Sequence, residues 1–84
     1  DQIAKYLGLK NKDGVVVTQV QKNGIADNAG LRPEDVILSV NGIKVRSEQD
    51  LVLEVNDMRV GEILKLKIMR SGDEKDIDIK LTAN

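Results

Sequence analysis

Tyr6-Leu7-Gly8-Leu9 and Gly30-Leu31-Arg32-Pro33-Glu34-Asp35-Val36-Ile37 are the two segments whose residue types and spacing carry chemistry. Gly8 lacks a Cβ, so the backbone around it can take unusual dihedrals and approach a ligand closely. Successive N–H groups in such a nest attract an anion. The chemistry is therefore recognition: a backbone loop that grips a free carboxylate beside a strand with an unpaired edge. It points to a module that holds the ends of other chains. Catalytic inventories are missing. There is no histidine, so no Ser–His–Asp arrangement can form. Imidazole and thiolate metal ligands are both lacking. Glu74, Asp76 and Asp78 cluster, but alternation along an exposed strand face accounts for them, and no metal or acid–base role is expected. No Gly-Lys-Ser/Thr segment is present to cradle phosphate. No cofactor is expected.

The elements that must position these segments follow from periodicity and turn residues. Leu7 to Lys10 reads as a short strand. Asp13-Gly14 is a turn, and Val15-Val16-Val17-Thr18-Gln19-Val20 is a mostly buried, β-branched strand. Ile25 to Ala29 forms a short helical turn closed by Gly30 as a left-handed C-cap. Pro33 sits in a tight turn before the buried strand Val36-Ile37-Leu38-Ser39-Val40. Asn41-Gly42 is a hairpin signal, and Ile43-Lys44-Val45 pairs back briefly. Ser47 opens the one substantial helix, with Asp50 three residues later as a weak capping box. This helix runs to about Met58. Ile63 to Met69 is a strand, Arg70-Ser71-Gly72-Asp73 a turn, and Lys75 to Leu81 alternates strictly. Ile77, Ile79 and Leu81 point one way; Asp76, Asp78 and Lys80 point the other.

Bulk composition bounds the function. The 84 residues make one small domain. It buries roughly 60% of its unfolded surface. Apolar residues are 40% of the chain. Leu, Ile and Val supply nearly all of them, and Tyr6 is the single aromatic. The 13 basic and 14 acidic residues give a net charge of −1, which offers nucleic acid no basic face. One tyrosine is no stacking platform for single strands. Without cysteine there are no disulfides. No apolar run approaches the ~18 residues of a membrane span, so direct membrane insertion is not expected. The chain begins at Asp1 without an initiator Met, and it is expected to be a slice of a longer protein.

The helix carries more apolar surface than a core face needs. At 100° per residue, Leu51, Val55 and Met58 fall on one stripe, the core face. Glu48, Val52 and Val55 form a second line at its flank. A strand edge beside that line would leave a groove with an apolar floor. Leu53 faces nearly opposite the core.

From about Tyr6 to Leu81 these residues resemble a PDZ domain, and more narrowly the PDZ domains attached to bacterial HtrA-type (Do-like) serine proteases. The resemblance rests on Tyr6-Leu7-Gly8-Leu9, Gly14-Val15-Val16-Val17, the small residues of 26–29, the segment from Gly30 to Ile37, and Asn41-Gly42. Two positions depart from the pattern. Glu34 stands where the family usually carries Gly, with Pro33 expected to hold the turn. Ile25 stands where the family often has Ser-Pro.

The resemblance implies an α+β fold: a small, mostly antiparallel, partly open β-barrel capped by one long and one short helix. It implies a single domain over 1–84, with its core at about 6–81. It also implies β-augmentation, in which a partner's C-terminal or extended segment adds as a strand between the first strand and the long helix. Tyr6, Leu7, Gly8 and Leu9 would form the carboxylate-binding loop, with Leu7 and Leu9 turning inward together as loop residues. Lys10, Glu48, Val52 and Val55 would line the groove. Glu48 would favour a basic or hydrogen-bonding side chain two residues before the partner's end. The implied parent is a bacterial serine protease of the periplasm or cell envelope, with its catalytic domain elsewhere in the chain. The alternatives are a non-catalytic scaffold, an inter-domain assembly domain, or the PDZ domain of a site-2 or tail-specific protease.

Overall fold

The computed structural model describes residues 7–11 and 14–81. Its elements follow the order β1 (Leu7–Asn11), β2 (Val15–Val20), α1 (Ile25–Asn28), β3 (Val36–Val40), β4 (Ile43–Lys44), α2 (Glu48–Asn56), β5 (Ile63–Arg70) and β6 (Asp73–Lys80). Every strand pairing is antiparallel. The sheet runs β1-β2-β3-β5-β6, with β4 attached to β3. β1 and β6 thus lie at opposite ends of the sheet. This is the expected α+β arrangement, an open antiparallel sheet with two helices.

Local chemistry explains the hairpins. Asn41 and Gly42 take φ of 51° and 84°, and Ser71 and Gly72 take 53° and 86°. Two left-handed residues in a row are what a type I′ hairpin demands. The second hairpin sets the β5–β6 register. Leu64 faces Ile79 and Leu66 faces Ile77 on the buried side. Lys65 opposite Asp78 and Lys67 opposite Asp76 alternate with them, and opposite charges across a ladder add about 0.2–1 kcal/mol each. The core is aliphatic: Val15, Val17, Leu31, Ile37, Val40, Leu51, Leu64, Ile68 and Ile79 are all buried. Each such side chain contributes about 1.5–3 kcal/mol of transfer free energy.

α1 ends in a Schellman motif. The Leu31 N–H donates to the Ala26 carbonyl at 3.1 Å and Gly30 N–H to Asp27 at 3.0 Å, with Gly30 at φ 99°. α2 starts on Ser47, whose hydroxyl accepts from Asp50 N–H at 3.2 Å. The return half of the expected capping box goes elsewhere: the Asp50 carboxylate accepts from Arg46 N–H at 3.1 Å. Past the other end of α2, Asn41 Nδ2 reaches Met58 Sδ at 3.3 Å. The same Asn41 accepts from Lys65 N–H, so this end of the helix is tied to the β3–β5 ladder.

The turn before β3 explains Glu34. Asp35 N–H closes it on the Arg32 carbonyl at 3.3 Å, and Glu34 sits at φ 77°. Pro at the second position and a left-handed third residue define a type II turn, which favours Gly at that third position. Pro33 does hold the turn, at a cost to Glu34 of about 1–2 kcal/mol. Gly would return part of the gain as unfolded-chain entropy, about 0.5–1 kcal/mol. Glu34→Gly should therefore stabilise the domain by roughly 0.5–1 kcal/mol. The urea midpoint should rise with an unchanged denaturant slope; a fall would show that the carboxylate contributes something the backbone argument omits.

Candidate functional site

The first strand and the long helix meet around a shared apolar floor. β1 pairs with β2 on one side only and ends the sheet. Its other edge carries no strand among the described residues. Leu7 is buried in the core cluster that also holds Leu51 and Val55, and Leu9 packs against that cluster half-buried. Leu7 and Leu9 belong to β1 itself and not to a separate loop. Their joint inward direction needs no loop, because residues two apart on a strand share a face. Lys10 is exposed. Tyr6 lies outside the described residues.

Gly8 has a different role from the one its neighbours imply. It is absent from the left-handed glycines of the chain, so no nest is built on its dihedrals. Its value is proximity. A Cβ there would lie 2.6 Å from Thr18 Oγ1 and 3.0 Å from Gln19 Cβ. The β1–β2 register shifts at this point: Gly8 faces Gln19, while Leu9 already faces Val17. Thr18 is the extra residue of a bulge, which bends and twists the pair locally. The N–H groups on the outer edge here belong to β1, the partner of the bulged strand β2.

α2 supplies the other wall. Val55 is buried and Val52 half-buried, while Glu48 is exposed at the helix start. Glu48, Gln49, Val52 and Leu53 line a shallow hollow of about 490 Å³ on the flank of the helix. No β1 side chain contributes to it. Thus Leu7, Leu9 and Val55 come together in one cluster, whereas Val52 and Glu48 stand beside it on the helix. One polar bond joins the two walls: Glu48 N–H donates to Asn11 Oδ1 at 2.7 Å. No sequence pattern singles out Asn11, because 37 positions separate it from Glu48.

The strongest electrostatic feature lies behind the groove. Asp35 is 1% exposed. Its carboxylate accepts from Arg70 Nε at 2.8 Å and Nη2 at 2.7 Å, and from Arg32 N–H at 2.8 Å. Arg70 Nη2 also donates to the Gly30 carbonyl at 2.9 Å. Burial pushes the Asp35 carboxyl up, but the Arg70 and Arg32 hydrogen bonds and the guanidinium charges outweigh it and hold it below the usual carboxylate value. Arg70, hydrogen-bonded to Asp35, keeps its proton even more firmly than a free guanidinium. The pair braces the strand behind β1. The Asp35 carbonyl accepts from Val17 N–H at 2.8 Å, and Glu34 N–H donates to the Val17 carbonyl at 2.6 Å. Val17 is the residue opposite Leu9.

An unpaired strand edge, an aliphatic floor and a flanking helix agree with a family model. Residues 7–81 match that of the PDZ domain. The chain belongs to the PDZ domain family. Among curated relatives of this PDZ domain is a probable periplasmic serine endoprotease, DegP-like, of Pseudomonas putida. It is 40% identical over 81 residues, 96% of the chain and 17% of that protein. The chain spans only 16–17% of the length of such DegP-like relatives. The PDZ domain also superposes on solved structures. The HtrA-type protease AlgW with decapeptide gives a TM-score of 0.79 at 26% identity, covering 99% of this chain and 26% of that one. The HtrA3 PDZ domain bound to a phage-derived ligand (FGRWV) gives 0.73 at 25% identity, covering 81% and 62%.

Proposed function

We propose that this PDZ domain captures C-terminal or extended segments of other proteins by adding them as a strand to the free edge of β1, alongside α2. The observation that carries the reading is the edge of β1, unpaired among the described residues, beside an apolar helix flank. Solved neighbours that hold peptide ligands support it. The terminal carboxylate is received at the segment Leu7, Gly8 and Leu9, with Tyr6 preceding it, by those main-chain N–H groups that face away from β2, since N–H groups alternate sides along a strand. Charge-assisted bonds there contribute about 1.5–3 kcal/mol each, and ladder bonds to Leu9 and Lys10 roughly 0.5–1.5 kcal/mol. The last side chain enters between Leu7, Leu9, Val52 and Val55, for about 1.5–3 kcal/mol. Association and ordering remove much of that sum. The dissociation constant then falls on the order of 1–100 µM. In its parent, a bacterial serine protease of the periplasm or cell envelope, the domain recognises substrate or regulates the catalytic domain. The names of the DegP-like relatives support that setting.

Calorimetric titration of the chain tests this. FGRWV, the ligand in the HtrA3 neighbour, should bind saturably. The same peptide with an amidated end should bind about tenfold more weakly or worse, since one charge-assisted bond is lost. No heat at ~1 mM peptide would defeat the reading. Glu48 adds selectivity at the third residue from the peptide's end. Charge reversal by Glu48→Lys should move preference there from Lys towards Glu by a few-fold, the scale of an exposed ion pair.

A further inference from the structure

β6 ends the sheet on the side away from β1, and its outer edge carries no strand among the described residues. The two-residue turn at Ser71-Gly72 makes Arg70 and Asp73 the first hydrogen-bonded pair of the hairpin. Alternation then turns the main-chain groups of Asp73, Lys75, Ile77 and Ile79 towards β5. Leu81, next in that series, donates its N–H to the Glu62 carbonyl at 3.0 Å. The N–H and carbonyl groups of Glu74, Asp76, Asp78 and Lys80 therefore face the open edge.

The strand that β6 already holds shows what kind of partner fits it. On the buried side Leu64 and Leu66 of β5 face Ile79 and Ile77; on the exposed side Lys65 and Lys67 face Asp78 and Asp76. Neither aspartate closes an ion pair among the described residues, and Lys67 reaches Glu74 instead, at 3.8 Å. Both carboxylates are thus open to a cation arriving from the outer side. Ile25 and Ala29 of α1, one turn apart and half-buried, border a hollow of about 290 Å³ with Asn28, Asp78 and Lys80. A strand added to β6 would bring its inner side chains towards this hollow and its outer ones to the aspartates. Charged side chains guard an edge against unwanted pairing, and these turn away an acidic strand while favouring a basic one. A second copy paired along the whole edge about Ile77 would set Asp76 against Asp78 twice, and like charges directly opposite destabilise a ladder.

We propose that the outer edge of β6 is a second docking site, which takes an internal extended segment of another protein that alternates apolar and basic residues. It needs no free carboxylate and stands independently of binding at β1.

A capped copy of β5, residues 63–70 acetylated and amidated, tests it, because its closed end denies it the carboxylate site at β1. Amide exchange read residue by residue gives the location. In the free chain the Asp76 and Asp78 N–H groups should exchange fast, and those of Ile77 and Ile79 slowly. With the peptide at ~1 mM, exchange at Asp76 and Asp78 should slow by about threefold or more, while the amides of β1 stay unchanged. The same peptide with Lys65→Glu and Lys67→Glu should bind about threefold more weakly or worse, the scale of two exposed ion pairs. In the chain carrying Asp76→Asn and Asp78→Asn together, that preference should vanish. Slow exchange at Asp76 and Asp78 without peptide would show the edge already occupied and overturn the proposal. Equal binding of the two peptides to the native chain, or protection that appears at β1 instead, would also overturn it. No response to either peptide would leave the charges as a guard alone and overturn the docking site, whatever C-terminal peptides do at β1.

Discussion

Arg70→Ala is expected to cost the domain about 3 kcal/mol or more, because it leaves Asp35 buried with one hydrogen-bond donor where it had three. The Arg70 side chain is 31% exposed, and water reaching the vacated space keeps the loss at the low end of the range for broken buried pairs. A domain of this size holds only about 4–13 kcal/mol in all, so much of the margin goes. The pH dependence identifies the cause. In the native chain the folded Asp35 carboxyl lies below its usual value. Its stabilising contribution is complete above the unfolded value of about 3.9 and is lost as pH falls through the folded value. In Arg70→Ala the arginine's hydrogen bonds and charge no longer lower the folded value, so it rises, with only the Arg32 N–H bond and charge left to oppose burial. The native chain's advantage is therefore full at neutral pH and is lost in acid. Urea unfolding at neutral pH and near pH ~3 should show the gap between the two proteins narrowing as pH falls. A pH-independent gap would assign the loss to packing of the arginine stem instead. Replacing both partners with apolar residues of similar volume should recover much of the stability, since the net worth of a buried pair is small.

Features encoded by residues close together in the chain are legible in the sequence itself. Ile77, Ile79 and Leu81 announce the buried face of β6 by alternation, and Asn41-Gly42 announces its hairpin. The angular spacing of Leu51 and Val55 places the core face of α2, with Val52 half-buried beside it; Met58, expected on the same helix, lies past its end at Asn56 and packs against the core from there. Features made by distant pairs are not legible. Asp35 and Arg70 are 35 positions apart and Asn11 and Glu48 37. Arg70 reads simply as part of a turn, because no local pattern distinguishes a buried guanidinium from a solvated one. The bulge at Thr18 is equally silent: its strand reads as an unbroken apolar and β-branched run. Gly8 shows the same divide. The sequence shows that a glycine is there, but only the approach of β2 shows which of its two freedoms is used.

That distinction yields the second large effect. Gly8→Val should lower the affinity for a C-terminal peptide by tenfold or more, while the domain still folds at a cost of about 1–3 kcal/mol. The φ of Gly8 lies outside the left-handed region, so the backbone itself tolerates a side chain. The obstacle is contact: the new Cβ meets Thr18 Oγ1 at 2.6 Å and Gln19 Cβ at 3.0 Å. Thr18 is exposed and can rotate its hydroxyl away. Gln19 Cβ is fixed to the β2 backbone and cannot. Relief must come from separating the two strands at the bulge, where the proposed carboxylate donors sit. Directional hydrogen bonds weaken steeply with misalignment, so a shift of a few tenths of an ångström affects binding more than folding. Gln19→Gly removes the fixed contact and should return part of the lost affinity in the double variant, whereas it should do little by itself. A double-mutant cycle with no coupling between the two sites would mean that strand separation is not the mechanism, and Gly8 would then owe its effect to direct contact with the ligand.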